Sequence, residues 1–173
     1  MNSQEYMTAD LQIYGEQVLK KCVALLPEQR PEWRHDVRRA LEYFRQHIFE
    51  EDFSVSVMKI ECNISHSGFS LNFRKCTGFT PKGYMCHYRI EAAKRLLRSK
   101  KLKGLSIGQV GQLVGYERPP SFVSRFSDLT GLSPGRWRAE QHKTTRQLSL
   151  FKSSSTDASS SKMKQFSPRN LYG

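Results

Sequence analysis

Arg118, Ser121, Ser124 and Arg125 lie in a stretch where Phe122 and Phe126 keep helical spacing. At about 100° per residue the two phenylalanines set the core side, which turns Arg118, Pro120, Ser121, Ser124 and Ser127 outward and leaves Arg125 at the edge. Groups displayed this way can do recognition chemistry. Arginine pairs bidentately with a guanine edge, serine hydrogen-bonds bases or phosphates, and an edge arginine suits phosphate. Arg118 is the leading base-reading residue of this set and Arg125 a phosphate contact. A second set follows the same geometry: Phe69 and Phe73 point to the core, leaving Ser67, Ser70, Leu71 and Arg74 on or near the opposite side. There Ser67 and Ser70 can bond bases or phosphates, Leu71 can touch a thymine methyl, and Arg74 or Lys75 can hold the backbone. Arg136 and Arg138 flank Trp137, a core residue, as phosphate clamps or salt-bridge partners. No catalytic constellation accompanies either set, so an enzyme is not expected.

Charge agrees with this chemistry. The 173 residues carry a net charge of +12. Its distribution is uneven: residues 1–52 are net −3, residues 53–92 +3, residues 93–146 +9 and residues 147–173 +3. Positive charge gathers where the first set lies, as a phosphate-tracking surface requires. Cys22, Cys62, Cys76 and Cys86 show no Cys-x-x-Cys spacing, and His66 and His87 do not complete a zinc finger, so reduced, packed thiols and no metal or cofactor are expected. No stretch approaches the ~20 apolar residues of a membrane span, and a cytoplasmic protein without membrane contact is expected.

The elements that must position these residues form an internal repeat. Laying residues 53–84 over 105–137 pairs Phe53 with Leu105, Val55 with Ile107, Met58 with Val110 and Cys62 with Val114 at an offset of 52. After a one-residue difference in the turn, Phe69 pairs with Phe122, Phe73 with Phe126, Thr77-Gly78 with Thr130-Gly131, Thr80-Pro81 with Ser133-Pro134, and Tyr84 with Trp137. Two copies of one helix-turn-helix unit are predicted. In each, a hydroxyl residue before proline reads as an N-cap with proline at the first helical position. Leu129 continues the apolar spacing of Phe122 and Phe126. Between the copies, Tyr84, Met85, Tyr88, Ala92 and Leu96 run down one side of a predicted helix, with Ile90, Ala93 and Leu97 beside it. Nineteen helical residues span roughly 28 Å, a rod able to hold two reading units about one duplex turn, ~34 Å, apart. The cations from Arg98 to Lys103 suit the negative end of that helix, and phosphate as well.

Met7, Leu11, Tyr14, Val18, Cys22 and Leu25 recur at helical intervals, predicting an amphipathic helix over residues 8–26 that ends at Pro27. Its stripe packs on the rest of the domain or, in a sharper reading, forms a homodimer seam. Pro31 is expected in the first turn of a second helix with Val37, Leu41, Phe44 and Ile48 on its apolar face. Asp52 or Ser54 starts the next element. Beyond about Thr144 the composition collapses into Ser, Thr, Lys and Gln, predicting a disordered basic tail.

These parts resemble the AraC/XylS family of bacterial transcription regulators over roughly residues 36–140. The resemblance rests on Tyr84-Met-Cys-His-Tyr-Arg-Ile-Glu-Ala-Ala-Lys-Arg-Leu-Leu97, similar to the family's linking helix. It rests also on Ile107 through Arg138, similar to its C-terminal signature through Gly115-Tyr116, Phe122, Phe126, Gly131 and Ser133-Pro134. It implies an all-α fold with two helix-turn-helix subdomains joined by a long linking helix. It further implies sequence-directed binding of double-stranded DNA in successive major grooves, and transcription regulation, usually activation by contact with RNA polymerase. The alternative is a protein-interaction adaptor with weak non-specific DNA binding. The expected organisation is a helical extension over 1–35, the DNA-binding domain over 36–143 and the tail over 144–173. Within the domain, the first unit covers about 53–80, the linking helix about 81–99 and the second unit about 105–130. The chain departs from the family at Lys59, where the second copy has Gly111, at Leu71, where an arginine is frequent, at Asn63 in place of the turn glycine, and at Pro119-Pro120.

Overall fold

Ser54 and Ser106 show how the repeat becomes structure. In a computed structural model that describes residues 3–65 and 67–143, with side chains placed from residue 9, each serine caps a short helix. The Ser54 hydroxyl accepts from Val57 N (3.2 Å), and Ser106 accepts from Gln109 N (3.1 Å) while Gln109 Oε1 accepts from Ser106 N (2.8 Å). The helices are α1 (Ser3–Ala24), α2 (His35–His47), α3 (Val55–Glu61), α4 (Phe69–Thr77), α5 (Pro81–Arg98), α6 (Ile107–Leu113), α7 (Pro119–Thr130) and α8 (134–143), with a 3-10 turn at Lys100–Leu102. The described residues contain no strand. No helix among them is long and apolar enough to cross a membrane.

Two hydrophobic clusters match the two units. The first gathers Phe44 of α2, Met58 of α3, Phe69 and Phe73 of α4 and Tyr84 of α5. The second gathers Ile90, Ala93, Leu96 and Leu97 of α5, Val110 of α6, Phe122 and Phe126 of α7, and Trp137. α5 thus closes one core with its first turn and opens the other with its last three.

The N-terminal helix differs from expectation at its end. It stops at Ala24, so Leu25 lies in the following turn and is 60% exposed, while Leu26 is buried in the first cluster. Leu19 and Cys22 are buried in the second cluster, with Leu11, Tyr14 and Val18 packed beside them, and α1 lies against α5, the 3-10 turn and α6. The stripe from Leu11 to Cys22 is therefore covered by the chain's own domain, while the side chain of Met7 lies outside the described residues. Arg45 ties the end down, donating from Nη2 to Leu26 O (3.0 Å) and Pro27 O (2.7 Å). α2 begins at His35, leaving Pro31 in a turn upstream closed by Trp33 N donating to Arg30 O (3.0 Å), and the Asp36 carboxylate accepts from the first-turn donor Val37 N (2.8 Å). Its predicted face is right: Val37, Leu41, Phe44 and Ile48 are fully buried. Residues 144–173, the predicted tail, lie outside the described residues.

Arg89 is the one buried charged residue among those described. Its Nε donates to Ile48 O (2.7 Å), Nη2 to Glu50 O (2.7 Å) and Nη1 to Gly115 O (2.5 Å). Its guanidinium also lies 5.9 Å from the Phe53 ring and 5.6 Å from the Tyr116 ring. Burial lowers its pKa from the ordinary arginine value and pushes the Tyr116 phenol up to about 12.

Candidate nucleic-acid interface

Each unit turns its second helix outward by the same devices. In the first, Met58 and Cys62 of the α3 segment meet Phe69 and Phe73 of α4; in the second, Val110 and Val114 meet Phe122 and Phe126, and all four phenylalanines are fully buried. Behind the helices, Thr77 Oγ1 donates to Phe73 O (2.8 Å) and accepts from Phe79 N (3.3 Å), and Thr130 Oγ1 repeats this with Phe126 O (2.8 Å) and Leu132 N (3.3 Å). Gly78 (φ 81°) and Gly131 (φ 75°) follow in the left-handed region, which stops both helices. Thr80 then caps α5 through Gly83 N (3.2 Å), and Ser133 caps α8 through Arg136 N (3.4 Å).

On this doubled scaffold the predicted contact residues are displayed as follows. Leu71, Arg74 and Lys75 are exposed on α4, Ser67 is exposed in the turn before it, and Ser70 is half-buried. Leu71 is 59% exposed, whereas Phe69 and Phe73 of the same helix are fully buried. Arg118, Ser121, Ser124 and Arg125 are exposed on or just before α7, and Arg136 is exposed on the first turn of α8. Arg125 faces solvent more fully than an edge position suggests and pairs with Asp128 at 3.9 Å. Ser127 is half-buried, its hydroxyl donating to Val123 O (2.8 Å), and so is not an outward contact. Leu129 is 50% exposed and does not join the core, although it keeps the apolar spacing of Phe122 and Phe126. Arg138 turns inward, Nη1 donating to Leu105 O (2.8 Å), which makes it a brace between α8 and the start of the second unit.

The repeat register shows that the two displays are not copies. Leu71 is equivalent to Ser124, Asn72 to Arg125 and Lys75 to Asp128. α7 also begins three residues earlier in register than α4: Pro119 and Pro120 occupy its first two helical positions, with Arg118 as the N-cap and no side-chain cap bond. Proline costs no hydrogen bond there and holds φ near the helical value. The double proline therefore lengthens the second recognition helix by almost a turn. Of the residues that organise the interface, reading by periodicity misses Arg89; its signal is a charge placed four residues before Ala93 and one before Ile90, on the buried side of α5.

A helix-turn-helix domain model matches residues 60–140. The chain carries an AraC-type helix-turn-helix domain. It is 33% identical over 122 residues to the MmsAB operon regulatory protein of Pseudomonas aeruginosa, covering 69% of this chain and 38% of that protein. It is 28% identical over 122 residues to the arabinose operon regulatory protein of Escherichia coli, covering 70% of this chain and 41% of that protein. The chain thus spans less than half the length of these curated relatives. Among solved structures, the C-terminal domain of AraT, a response regulator from Geobacillus stearothermophilus, superposes with a TM-score of 0.57 at 26% identity, over 63% of this chain and 88% of that one. The AraC-type architecture accounts for the doubled unit and for α5 as its link.

Proposed function

We propose that the chain is a sequence-specific transcription regulator that binds double-stranded DNA with two heads, α4 and α7 entering successive major grooves. The observation that carries this reading is the doubled helix-turn-helix scaffold, which presents two exposed helices of different chemistry on one AraC-type domain. An 18-residue α5 is about 27 Å long, of the same order as the ~34 Å between major grooves on one face of a duplex. Because Leu71 and Ser124 stand at equivalent positions, the preferred site has two unlike elements. Ser67, Ser70, Leu71, Arg74 and Lys75 serve the first element, and Arg118, Ser121, Ser124, Arg125 and Arg136 the second. Activation through contact with RNA polymerase is the regulatory outcome we propose. Homodimerisation through residues 8–26 is its weaker companion, since the stripe on α1 packs within the chain; sedimentation equilibrium measures it directly. Selection from random duplexes tests the DNA reading: an enriched motif, bound with steep salt dependence, is expected, and recovery of unenriched sequence would refute it.

One observation favours the adaptor reading. On α3, Val57 and Ile60 are 39% and 75% exposed where the second unit has Gln109 and Gln112. An apolar outer face suits a protein partner better than phosphate. Equal affinity for every duplex sequence, lost uniformly with salt, would select this reading over the first.

A further inference from the structure

Arg89 lies at the junction of the two units, and all three of its hydrogen bonds go to neutral backbone carbonyls. Two of these, Ile48 O and Glu50 O, close the end of α2 in the first unit; the third, Gly115 O, belongs to the turn of the second. A buried cation without a carboxylate is costly to desolvate, and the negative end of α2 offsets part of that cost. What such a group supplies is geometry. A guanidinium is a planar fork, so its bonds form together only when the acceptors from both units stand in one arrangement.

The turn glycine supports this reading independently. Gly115 has φ 87°, and a Cβ there would lie 2.7 Å from Arg89 Cζ and 2.9 Å from Glu50 O. Its counterpart in the first unit is Asn63, also left-handed at φ 49° but exposed, with a Cβ that the structure accommodates. The left-handed turn alone tolerates asparagine; the approach of Arg89 does not.

We infer that Arg89 is a positioning residue that sets the orientation of the two heads relative to each other, and with it the separation of the two DNA elements the chain accepts. This rests on the two-groove reading above. One inserted base pair shifts an element by about 3.4 Å and turns it by about 35°. Heads held in one orientation then lose the effective concentration that joins them, whereas loosened heads keep part of it.

The test uses the full chain and the motif returned by selection. Affinity is measured for duplexes carrying both elements at the selected separation, with one to three base pairs added or removed, and for each element alone. The wild type is expected to lose about tenfold or more when the separation changes. Arg89→Gln and Gly115→Asn are expected to bind the selected duplex more weakly and to flatten the dependence on separation, while single-element affinities stay within about threefold. The two variants attack the clamp from opposite sides, so a fold lost in one leaves the other as the test, with circular dichroism checking each. A flat wild-type profile overturns the proposal without any variant, as does a folded Arg89→Gln whose profile is as steep as the wild type's. Failure of the two-groove reading looks different: selection then returns a single element or none, and both conclusions fall together.

Discussion

The two helix-turn-helix units share caps, buried phenylalanines, a threonine brace and a left-handed stop, yet they close their turns differently. The second unit has Gly111 and Gly115 where the first has Lys59 and Asn63. A Cβ on Gly111 would lie 3.0 Å from Cδ1 and Cγ of Phe122, so α6 and α7 approach as closely as a missing side chain allows. In the first unit Lys59 is half-buried instead, its ammonium 5.8 Å from the Phe69 ring. One scaffold thus supports a tight head whose turn is held by Arg89 and a looser head whose turn faces solvent. The lesson is that the same local fold can be joined to the rest of the molecule or left independent by two residues.

Substitutions that exchange or erase these differences should rank in a definite order by urea unfolding. Phe73→Ala and Phe126→Ala should each cost about 3–5 kcal/mol, since both rings are fully buried. Near-equal losses would show that the phenylalanine core is equally well packed in both heads despite their different turns, and a gap of more than about 2 kcal/mol would break that equivalence. Gly115→Asn should cost about 2–4 kcal/mol by displacing a charged hydrogen-bonding group, whereas Asn63→Gly should change stability by less than about 1 kcal/mol. Equal effects at the two turns would mean that the shared left-handed backbone governs both and that the approach of Arg89 adds nothing at Gly115. Gly111→Lys should cost about 1–3 kcal/mol through overpacking against Phe122, while Lys59→Gly should cost no more than about 1 kcal/mol of helix propensity. Thr77→Ala and Thr130→Ala should each cost about 1 kcal/mol, because each hydroxyl makes the same set of backbone bonds. A marked difference between them would mean the repeat is closer in geometry than in energy.

Much of this fold can be read before any coordinates are seen, because its signals are local. Phe69, Phe73, Phe122 and Phe126 declare their helices by spacing, and Thr80 and Ser133, each before a proline, declare their starts by capping chemistry that needs only neighbouring residues. Gly78 and Gly131 mark the stops in the same way. The features that escape are those decided at long range. Arg89 finds its acceptors 41, 39 and 26 residues away along the chain, and no periodicity announces carbonyls at that distance. Leu25 and Leu129 keep the apolar period but fall past a helix end or on an uncovered turn, so period alone places them wrongly. Ser127 fails for another reason: its hydroxyl bonds back to Val123 O and leaves the outward face. At the interface, the identities and outward display of Leu71, Arg118, Ser121 and Ser124 follow from helical geometry. Their register against one another follows from the repeat, and only the earlier start of the second recognition helix at Pro119 needs the structure.

The claim that two unlike heads read one site is tested most directly by repeating the selection from random duplex DNA with Leu71→Ala and with Arg118→Ala, each beside the wild type. The wild type should return two elements about one helical turn apart. Each variant should relax discrimination in one element only, Leu71→Ala in one and Arg118→Ala in the other, by about 1–3 kcal/mol at the affected position. A motif of one element, or two substitutions that relax the same element, would contradict the account.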